Sequence, residues 1–353
     1  MDLEIKTVKL GNKNIGRGQP VFVICEGGVT NYGQLDLAKK QVDAAVAAKA
    51  DAVKFQAWRT EQLVSKKVSA RLETELGYDW FNRVKEKEMS FDEIKELFAY
   101  ARERGIAVFA TAHDDESLDF LDEEMNQPLF KIGSGEAHNL EFLRNVGRRG
   151  KPVIISFGLQ SEDEARAAME TLKSAGAKEI IALHCVTAYP TPYEMANLGR
   201  MKRLGDLLEV PAGISDHTVG WHAPLGAVVL GAVVVEKHLT FDKNDPRSLD
   251  NAGALLPDEF ALMVKQIRDM ESALRNIPED ERLDFLSRQR DWAGQSLVAA
   301  GDLIAGTILT REMIAFKRPS KGGLPPEMAE KLCGKRIISA IAVDEQIKLE
   351  HFE

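Results

Sequence analysis

Residues 212–238, AGISDHTVGWHAPLGAVVLGAVVVEKH, contain a complete strand–helix–strand unit. The pattern predicts a strand over 212–215, a helix over 223–230 and a second strand over 233–237. Both strands are almost continuously apolar, which is typical of parallel strands that are buried on both faces. The carboxyl end of each strand is polar, with SDHT at the end of the first strand and EKH at the end of the second. The unit therefore predicts a parallel α/β sheet with reactive side chains at the carboxyl ends of its strands.

The same alternation of apolar runs and amphipathic stretches continues upstream. Further strands are predicted over 21–26, 52–56, 107–111, 129–133, 153–156 and 180–185, with helices between them such as 34–49, 91–104 and 162–174. Eight such units in roughly 240 residues match a (β/α)8 TIM barrel, whose usual length is about 250 residues. A doubly wound open sheet is the alternative. It is weakened by the unit count and by Glu26-Gly27-Gly28, which is not a dinucleotide-binding loop.

The pattern changes after a helix predicted over 260–275. A polar stretch, NIPEDER at 276–282, is followed from about residue 296 by short alternating runs broken by glycine. This is typical of a compact, mostly β module. The sequence therefore predicts a barrel domain over 1–275, a linker over 276–293 and a small β domain over 294–353. So small a module is expected to dock on the barrel or on a second subunit.

Composition argues against several classes of partner. The 353 residues carry a net charge of −9, so neither nucleic acid nor an anionic membrane surface is an expected partner. The longest apolar run, 223–235, contains two glycines and is too short to span a bilayer. Three widely spaced cysteines and an N-terminus without a signal-peptide layout indicate a reducing compartment. We therefore expect a cytoplasmic protein.

Polar residues at the predicted strand ends define one candidate site, because the carboxyl ends of barrel strands converge on one face. Lys54 and Lys131 lie at nearby strand ends and are interleaved with serines, a pattern that predicts an anion-binding site. The structural alternative is that each lysine pairs with a buried carboxylate. Residues 133–135, Gly-Ser-Gly, would add backbone N–H donors, although the glycines alone are better explained as a strand-to-helix turn.

His217 and His238 end adjacent predicted strands, so their imidazoles are expected to lie close together. Two imidazoles leave coordination positions for water and substrate, as a Lewis-acid metal needs. The alternative is a pair of hydrogen-bonded histidines without a metal. Asp216 and Glu236 are candidates for further ligands or for partners of the ligands. Mixed nitrogen and oxygen ligands suit Mn²⁺ or Mg²⁺, so the hypothesis is an anionic phospho-substrate beside a divalent metal.

Together these motifs resemble the sialic acid synthase family, which includes N-acetylneuraminate, legionaminate and pseudaminate synthases and spore coat polysaccharide proteins. The resemblance covers nearly the whole chain. In the barrel it rests on KFQ at 54–56, KIGSGE at 131–136, LHC at 183–185, AYPTP at 188–192, SDHT at 215–218 and EKH at 236–238. In the tail, SLVA at 296–299, GT at 306–307 and KRP at 317–319 resemble the family's antifreeze-like (SAF) domain.

The resemblance implies a metal-dependent condensation of phosphoenolpyruvate with the open-chain aldehyde of an amino sugar. It implies catalytic roles for Glu26, His217 and His238, with the two histidines as metal ligands. The phosphoenolpyruvate-binding positions would be Lys54, Thr111, Lys131, Ser134, Ser156, Thr187 and Ser215. The sugar-binding positions would be Gln56, Glu136, Tyr189, Asp250 and Arg318. A domain-swapped homodimer, in which Arg318 of one subunit covers the site of the other, is also implied.

Two segments at the expected barrel mouth depart from the family pattern. The chain has Asn31-Tyr32-Gly33 where Asn-His-Gly is usual, and Ala110-Thr111-Ala112-His113 where Ser-Thr-Pro-Phe is usual. We therefore expect the reaction type to be retained and the acceptor sugar to be the open question. Two further hypotheses are a metal-dependent aldolase acting on pyruvate or a phosphosugar, and a non-catalytic sugar-binding protein of surface polysaccharide biosynthesis.

Overall fold

The computed structural model of the chain describes residues 7–10 and 13–353. They form two compact units, one ending at Leu274 and the other spanning Arg275–Glu353. In the part of the chain that is described, no helix combines the length and the apolar character needed to cross a membrane.

The first unit contains an antiparallel hairpin and a closed barrel. The hairpin pairs β1 (Thr7–Leu10) with β2 (Lys13–Gly16). The described barrel strands are β3 (Phe22–Glu26), β4 (Ala52–Ala57), β5 (Ala107–Ala112), β6 (Phe130–Ile132), β7 (Val153–Phe157), β8 (Ile180–Cys185), β9 (Ala212–Asp216) and β10 (Val234–His238). Each strand pairs in parallel with the next, and β10 closes the barrel on β3. The predicted (β/α)8 barrel is confirmed, and the open sheet was the wrong alternative.

Helices follow the strands and cover the barrel. In this unit they are α1 (Leu35–Ala47), α2 (Thr60–Leu63), α3 (Lys66–Leu76), α4 (Trp80–Lys85), α5 (Phe91–Glu103), α6 (Asp115–Asp119), α7 (Leu140–Arg148), α8 (Glu162–Ala175), α9 (Gly199–Leu208), α10 (His222–Val229) and α11 (Pro257–Ala273). A π-helical turn at Phe120–Glu124 and 3₁₀ turns at Tyr193–Met195 and Leu249–Ala252 complete it. The connection between β4 and α5 is long and contains three short helices, which the sequence pattern did not predict.

Side-chain alternation gives each barrel strand an inner and an outer face. An inner apolar cluster fills the barrel towards the amino ends of the strands, and its core members are Val8, Leu10, Ile15, Phe22, Ile24, Ala52, Phe109, Leu129, Ile154, Ile181, Leu183, Val233 and Val234. The next residue in the same inward register is polar on several strands: Glu26 follows Ile24, and Glu236 follows Val234. The polar site therefore begins where this apolar layer ends.

The second unit has its own small core. Its elements are α12 (Glu279–Phe285), α13 (Ser287–Ala293), β11 (Ser296–Ala299), β12 (Ile314–Lys317), α14 (Met328–Leu332) and 3₁₀ turns at Arg311–Met313 and Leu349–His351. Strands β11 and β12 are antiparallel, and isolated bridges such as Leu303–Ile341 extend the β structure. The stretch 276–293, predicted as a linker, contains α12 and α13. Acidic residues in the first turn of α12 favour a helix there, because they interact with the positive end of the helix dipole.

Candidate active site

Polar side chains from several strands meet inside the barrel at its carboxyl end. Register brings them together, because Thr111 pairs with Lys131 across β5 and β6, and Ser215 pairs with Glu236 across β9 and β10. The buried polar residues are Glu26, Lys54, Thr111, Lys131, Ser134, Ser156, Ser215, His217, Glu236 and His238. Ten residues that were singled out from the sequence as strand-end groups therefore lie in the protein interior.

Two buried lysines share one carboxylate. Lys54 Nζ lies 2.6 Å from Glu26 Oε2 and 3.8 Å from Glu236 Oε1. Lys131 Nζ lies 3.6 Å from the same Glu236 oxygen. The lysine–carboxylate cluster, defined by Glu26, Lys54, Lys131 and Glu236, thus forms one connected network rather than two separate ion pairs.

Hydroxyl groups complete the cluster. Lys54 donates a 3.0 Å hydrogen bond to Thr111 Oγ1, and Lys131 donates one of 2.8 Å to Ser156 Oγ. Ser215 Oγ donates to Glu236 Oε1 at 3.0 Å. The other oxygen, Glu236 Oε2, is buried and accepts no hydrogen bond from any described residue. A buried acceptor without a partner marks the cluster as a place that a ligand, water or ion would complete.

The two carboxylates of the cluster have opposite pKa shifts. Burial acts to raise the pKa of Glu236, but Lys131 and Lys54 outweigh it and lower the pKa to about 2. Burial raises the pKa of Glu26 despite the opposing charge of Lys54, and Glu236 adds to the rise. Neighbouring carboxylates with separated pKa values are a common basis for different acid–base roles. Glu26 is the member that takes up a proton more readily.

The pKa values of the two lysines are also shifted in opposite directions. Burial acts to lower the pKa of Lys54, but Glu236 and Glu26 outweigh it and raise the pKa. Burial lowers the pKa of Lys131, against the opposing effect of Glu236. Of the two ammonium groups, Lys131 is the less well compensated, and it gains more from an added anion.

A second polar group surrounds Gly158. The Gly158 N–H donates a 2.9 Å hydrogen bond to Ser134 Oγ. A Cβ atom at this position would lie 2.4 Å from Thr187 Oγ1 and 2.7 Å from Ser134 Oγ. Thr187 is half-buried, and its buried hydroxyl has no hydrogen-bond partner among the described residues. Sequence reasoning missed Gly158, although its place directly after β7 was a signal that could have found it.

The two predicted metal ligands do come together. The ring centroids of His217 and His238 are 5.3 Å apart. His217 Nδ1 lies 2.8 Å from the Val186 carbonyl, which can only accept, so Nδ1 carries a proton and Nε2 is the nitrogen whose lone pair could bind a metal. His238 Nδ1 is buried without a hydrogen-bond partner in the described part of the chain, and Asp250 Oδ2 lies 3.6 Å away.

The pKa values of the two histidines are shifted in opposite directions. Burial and the charge of His217 hold the pKa of His238 well below its usual value, so this imidazole is neutral. Burial acts to lower the pKa of His217 too, but the Cys185 side chain beside Nδ1, whose thiolate form attracts the imidazolium, outweighs it and raises the pKa to about 9. A cation bound at His217 Nε2 would therefore displace a proton, as is usual for imidazole ligands.

These imidazoles fit a metal that takes few protein ligands. Within residues 7–10 and 13–353, no group of three or more His, Cys, Asp or Glu side chains is arranged to hold a metal ion. Asp216, a candidate ligand from the sequence, instead accepts from Lys237 Nζ at 2.6 Å. The unpartnered nitrogen of His238 beside His217 is the observation in favour of a metal, with water and substrate as the remaining ligands.

A cavity of about 210 Å³ adjoins the cluster, and we call it the mouth cavity. Gln56 and Asp250 line it; Gln56 Nε2 donates to Glu26 Oε1 at 2.8 Å, which connects the cavity to the buried carboxylates. Tyr189 lies outside this lining and packs against His217, with ring centroids 4.1 Å apart and ring planes tilted by 35°. Arg318 lies in the second unit, directly after β12.

Both departures from the family pattern fall near this cavity. His113 lines it, and its Nδ1 atom lies 2.8 Å from Glu136 Oε1. His113 Nε2 and Glu136 Oε2 are buried without hydrogen-bond partners among the described residues. Tyr32 accepts a 2.8 Å hydrogen bond from Asn251 Nδ2 through its hydroxyl. The Glu136–His113 contact, which joins two loops, was not predicted.

The chain belongs to the NeuB family, which matches residues 41–278, and residues 294–353 match the SAF domain. It is 38% identical to an uncharacterized protein of Methanocaldococcus jannaschii over 90% of either chain. It is 35% identical to the N,N'-diacetyllegionaminic acid synthase of Campylobacter jejuni, over 93% of this chain and 98% of that protein. The crystal structure of the N-acetylneuraminic acid (sialic acid) synthetase of Leptospira borgpetersenii, solved with citrate, is similar with a TM-score of 0.70 and 31% identity, covering 82% of this chain and 98% of that chain. The resemblance to sialic acid synthases is thereby confirmed, as is the prediction that the chain is an enzyme.

Proposed function

We propose that the chain catalyses a metal-dependent condensation of phosphoenolpyruvate with the open-chain aldehyde of an amino sugar, giving a nine-carbon 2-keto acid and phosphate. The observation that carries the proposal is the lysine–carboxylate cluster, in which the buried ammonium groups of Lys54 and Lys131 share one oxygen of Glu236. Two buried ammonium groups supply the charge-assisted hydrogen bonds that a molecule bearing both a phosphate and a carboxylate requires. The named synthases among the relatives support the same class of reaction.

Phosphoenolpyruvate would lie between the two polar groups of the barrel interior. Lys54 and Lys131 would donate to its anionic groups, together with the hydroxyls of Thr111, Ser156 and Ser215, which already belong to the same network. Ser134 and Thr187 would donate from the other side, where Gly158 leaves room because it has no side chain.

The aldehyde would approach from the mouth cavity. Gln56 and Asp250 line that cavity and contact the buried site, so they are placed to orient the sugar, with Glu136 and Tyr189 beside them. A divalent ion, Mn²⁺ or Mg²⁺, held by His217 and His238 would supply Lewis-acid polarisation of the aldehyde carbonyl.

The atoms of the reaction balance with one water. C3 of phosphoenolpyruvate forms the bond to the aldehyde carbon, whose oxygen takes up a proton from solvent. Water adds to the cation left at C2, and Glu26, the carboxylate with the raised pKa, holds the proton that the water loses. The bond from C2 to the phosphate oxygen then breaks while the C2 hydroxyl gives its proton to the departing phosphate, which leaves the keto acid and inorganic phosphate.

The proposal is tested by phosphate release from phosphoenolpyruvate in the presence of Mn²⁺ across a panel of aldoses. The panel includes N-acetylmannosamine, 2,4-diacetamido-6-deoxyhexoses and non-acetylated hexoses, and the mass of each product is recorded. We expect release that depends on one aldose and a product equal in mass to that aldose plus pyruvate. Condensation from pyruvate instead would favour an aldolase, and sugar binding without turnover would favour a non-catalytic protein.

Two further predictions from the sequence are part of this proposal. One is the domain-swapped homodimer in which Arg318 reaches the site of the other subunit. The other is the cytoplasmic location. Light scattering at several protein concentrations tests the dimer, and a monomer with full activity would contradict it.

A further inference from the structure

Among the residues whose side chains are described, three that line the mouth cavity are cationic, namely Arg83, Lys87 and Arg247. In that same described lining they share the cavity with one carboxylate, Asp250, in a chain whose net charge is −9. The lining is therefore locally positive in a negative protein. Because Gln56 joins the same cavity to the buried cluster, these cations lie beside the proposed acceptor site rather than on a separate surface.

The two arginines are held by the protein itself. Arg247 binds the Asp245 carboxylate through Nε at 3.0 Å and Nη2 at 2.6 Å, and its guanidinium lies 3.7 Å from the centre of the Tyr32 ring. Arg83 donates a 2.8 Å hydrogen bond to the Pro246 carbonyl. Both guanidinium groups are thereby fixed at the edge of the cavity, each with N–H donors left over.

Lys87 differs from both arginines. Its ammonium group takes part in no ion pair or side-chain hydrogen bond anywhere in the described residues, although Lys87 is half-buried and burial lowers its pKa. Its backbone passes close to Gly33, where φ is +72° and an added Cβ would lie 3.1 Å from the Lys87 carbonyl carbon. The fold therefore holds a charge with three unused donors against the cavity, an arrangement that a bound anion would satisfy.

We propose that Lys87, supported by Arg83 and Arg247, binds an anionic group on the acceptor aldose at the end remote from its aldehyde. The inference rests on the proposed function, because it assigns the far end of that reaction's acceptor. A phosphate or a carboxylate accepts charge-assisted hydrogen bonds from lysine and arginine, whereas a neutral hydroxyl leaves the Lys87 charge uncompensated. The aromatic residues Trp58, Tyr78 and Trp80 in the lining reduce contact with water and strengthen such bonds.

The test compares three matched sugars, N-acetylmannosamine, its 6-phosphate and its 6-carboxylate (the uronic acid). The ratio of kcat/KM for each anionic sugar over the neutral one is measured for the full chain, for Lys87→Met and for Lys40→Met. Lys40 is an exposed lysine of α1 outside the cavity, so its substitution removes the same charge without touching the lining. We expect an anionic sugar to be preferred, and Lys87→Met alone to reduce that preference roughly ten- to a hundredfold, the size expected for one charge-assisted hydrogen bond.

A binding measurement separates this inference from the proposed reaction. Trp58 and Trp80 line the cavity, so their fluorescence reports on sugar binding whether or not turnover occurs. If no sugar releases phosphate but the 6-phosphate or the uronic acid binds more tightly than the neutral sugar and Lys87→Met removes the difference, the reaction fails and this inference stands. Equal affinity for neutral and anionic sugars, or an equal loss in Lys40→Met, overturns it. The sugar that shows the preference identifies the anion as phosphate or carboxylate.

Discussion

Glu236, Lys237 and His238 are consecutive residues of β10, yet they belong to two different regions, the interior of the barrel and its outer face. Glu236 and His238 point into the barrel, where an oxygen of one and a nitrogen of the other are without partners among the described residues. Lys237 is fully buried on the outer face, where it donates to Asp216 Oδ2 at 2.6 Å and to the Thr218 carbonyl at 2.5 Å. Asp216 in turn accepts from the Thr218 backbone and hydroxyl.

The comparison shows that burial of charge does not by itself indicate function. The Lys237–Asp216 pair is closed by hydrogen bonds within the protein, so it holds β10, β9 and the loop after β9 together. The lysine–carboxylate cluster inside the barrel has the same residue types but keeps an unpartnered carboxylate oxygen beside a cavity. Unsatisfied hydrogen-bonding capacity distinguishes the two, and substitutions in each region should affect different measurements.

The largest effect is expected on stability, from Lys237→Met. Removing the ammonium group leaves Asp216 buried and unpaired, which costs about 3–5 kcal/mol of unfolding free energy. Urea unfolding followed by circular dichroism measures the change. The double variant Lys237→Met with Asp216→Asn removes both charges and is expected to recover part of the loss. A cost of less than about 1 kcal/mol for the single variant would show that the pair is not a structural element.

The second effect is on catalysis, from Lys131→Met. The loss of an ammonium group that binds the anion is expected to lower kcat/KM for phosphoenolpyruvate roughly 10²–10³-fold. Stability should fall far less than in Lys237→Met, because Glu236 keeps its contacts with Lys54 and Ser215. Steady-state phosphate release gives kcat/KM, and urea unfolding of the same preparations gives the free energy of unfolding. A loss of stability that matches the loss of activity would contradict the division between the two regions.

The third effect is on metal binding, from His238→Ala. One of two imidazole ligands is removed, so the affinity for Mn²⁺ measured by calorimetry is expected to fall at least about tenfold. His222→Ala is the matched control, because His222 is an exposed histidine at the start of α10, outside the site. Equal Mn²⁺ affinity in the wild type and in both variants would place the metal elsewhere.

The smallest effect is on substrate affinity, from Gly158→Ala. The added methyl group would collide with the hydroxyls of Thr187 and Ser134, so the KM for phosphoenolpyruvate is expected to rise about tenfold, the equivalent of one displaced hydrogen bond. Gly301→Ala is the control, since a Cβ there meets no atom within 4 Å. If the two variants have the same KM as the wild type, phosphoenolpyruvate does not contact the Gly158 region.

Features that depend on periodicity were predicted from the sequence. Strand alternation and strand ends were enough to place Glu26, Lys54 and Lys131 at one end of a barrel, because parallel strands share a direction and a face. The same alternation could have assigned Lys237 to the outer face, since it lies between two inward residues. The pairing of Lys237 with Asp216 depends on the register between β9 and β10. The sequence of either strand alone does not determine that register.

Features that depend on loop conformation were not predicted. The Glu136–His113 contact joins segments from two different strand ends, and its geometry is fixed by the loops rather than by any repeat. Gly158 leaves space between the side chains that surround it, and those neighbours are known only from the fold. A single glycine forms no sequence periodicity from which this role could be predicted. Lys87 lies just beyond a short helix that the sequence did not indicate, and its lack of a partner among the described residues is visible only in three dimensions.

The central claim is that the lysine–carboxylate cluster binds phosphoenolpyruvate while the neighbouring Lys237 pair is structural. Calorimetric titration of phosphoenolpyruvate into the wild type, Lys131→Met and Lys237→Met, each with Mn²⁺ present and each shown to be folded, tests it most directly. We predict that Lys131→Met weakens binding at least about tenfold and that Lys237→Met leaves the affinity unchanged. Wild-type affinity in Lys131→Met, or equal weakening in the two variants, would contradict the account.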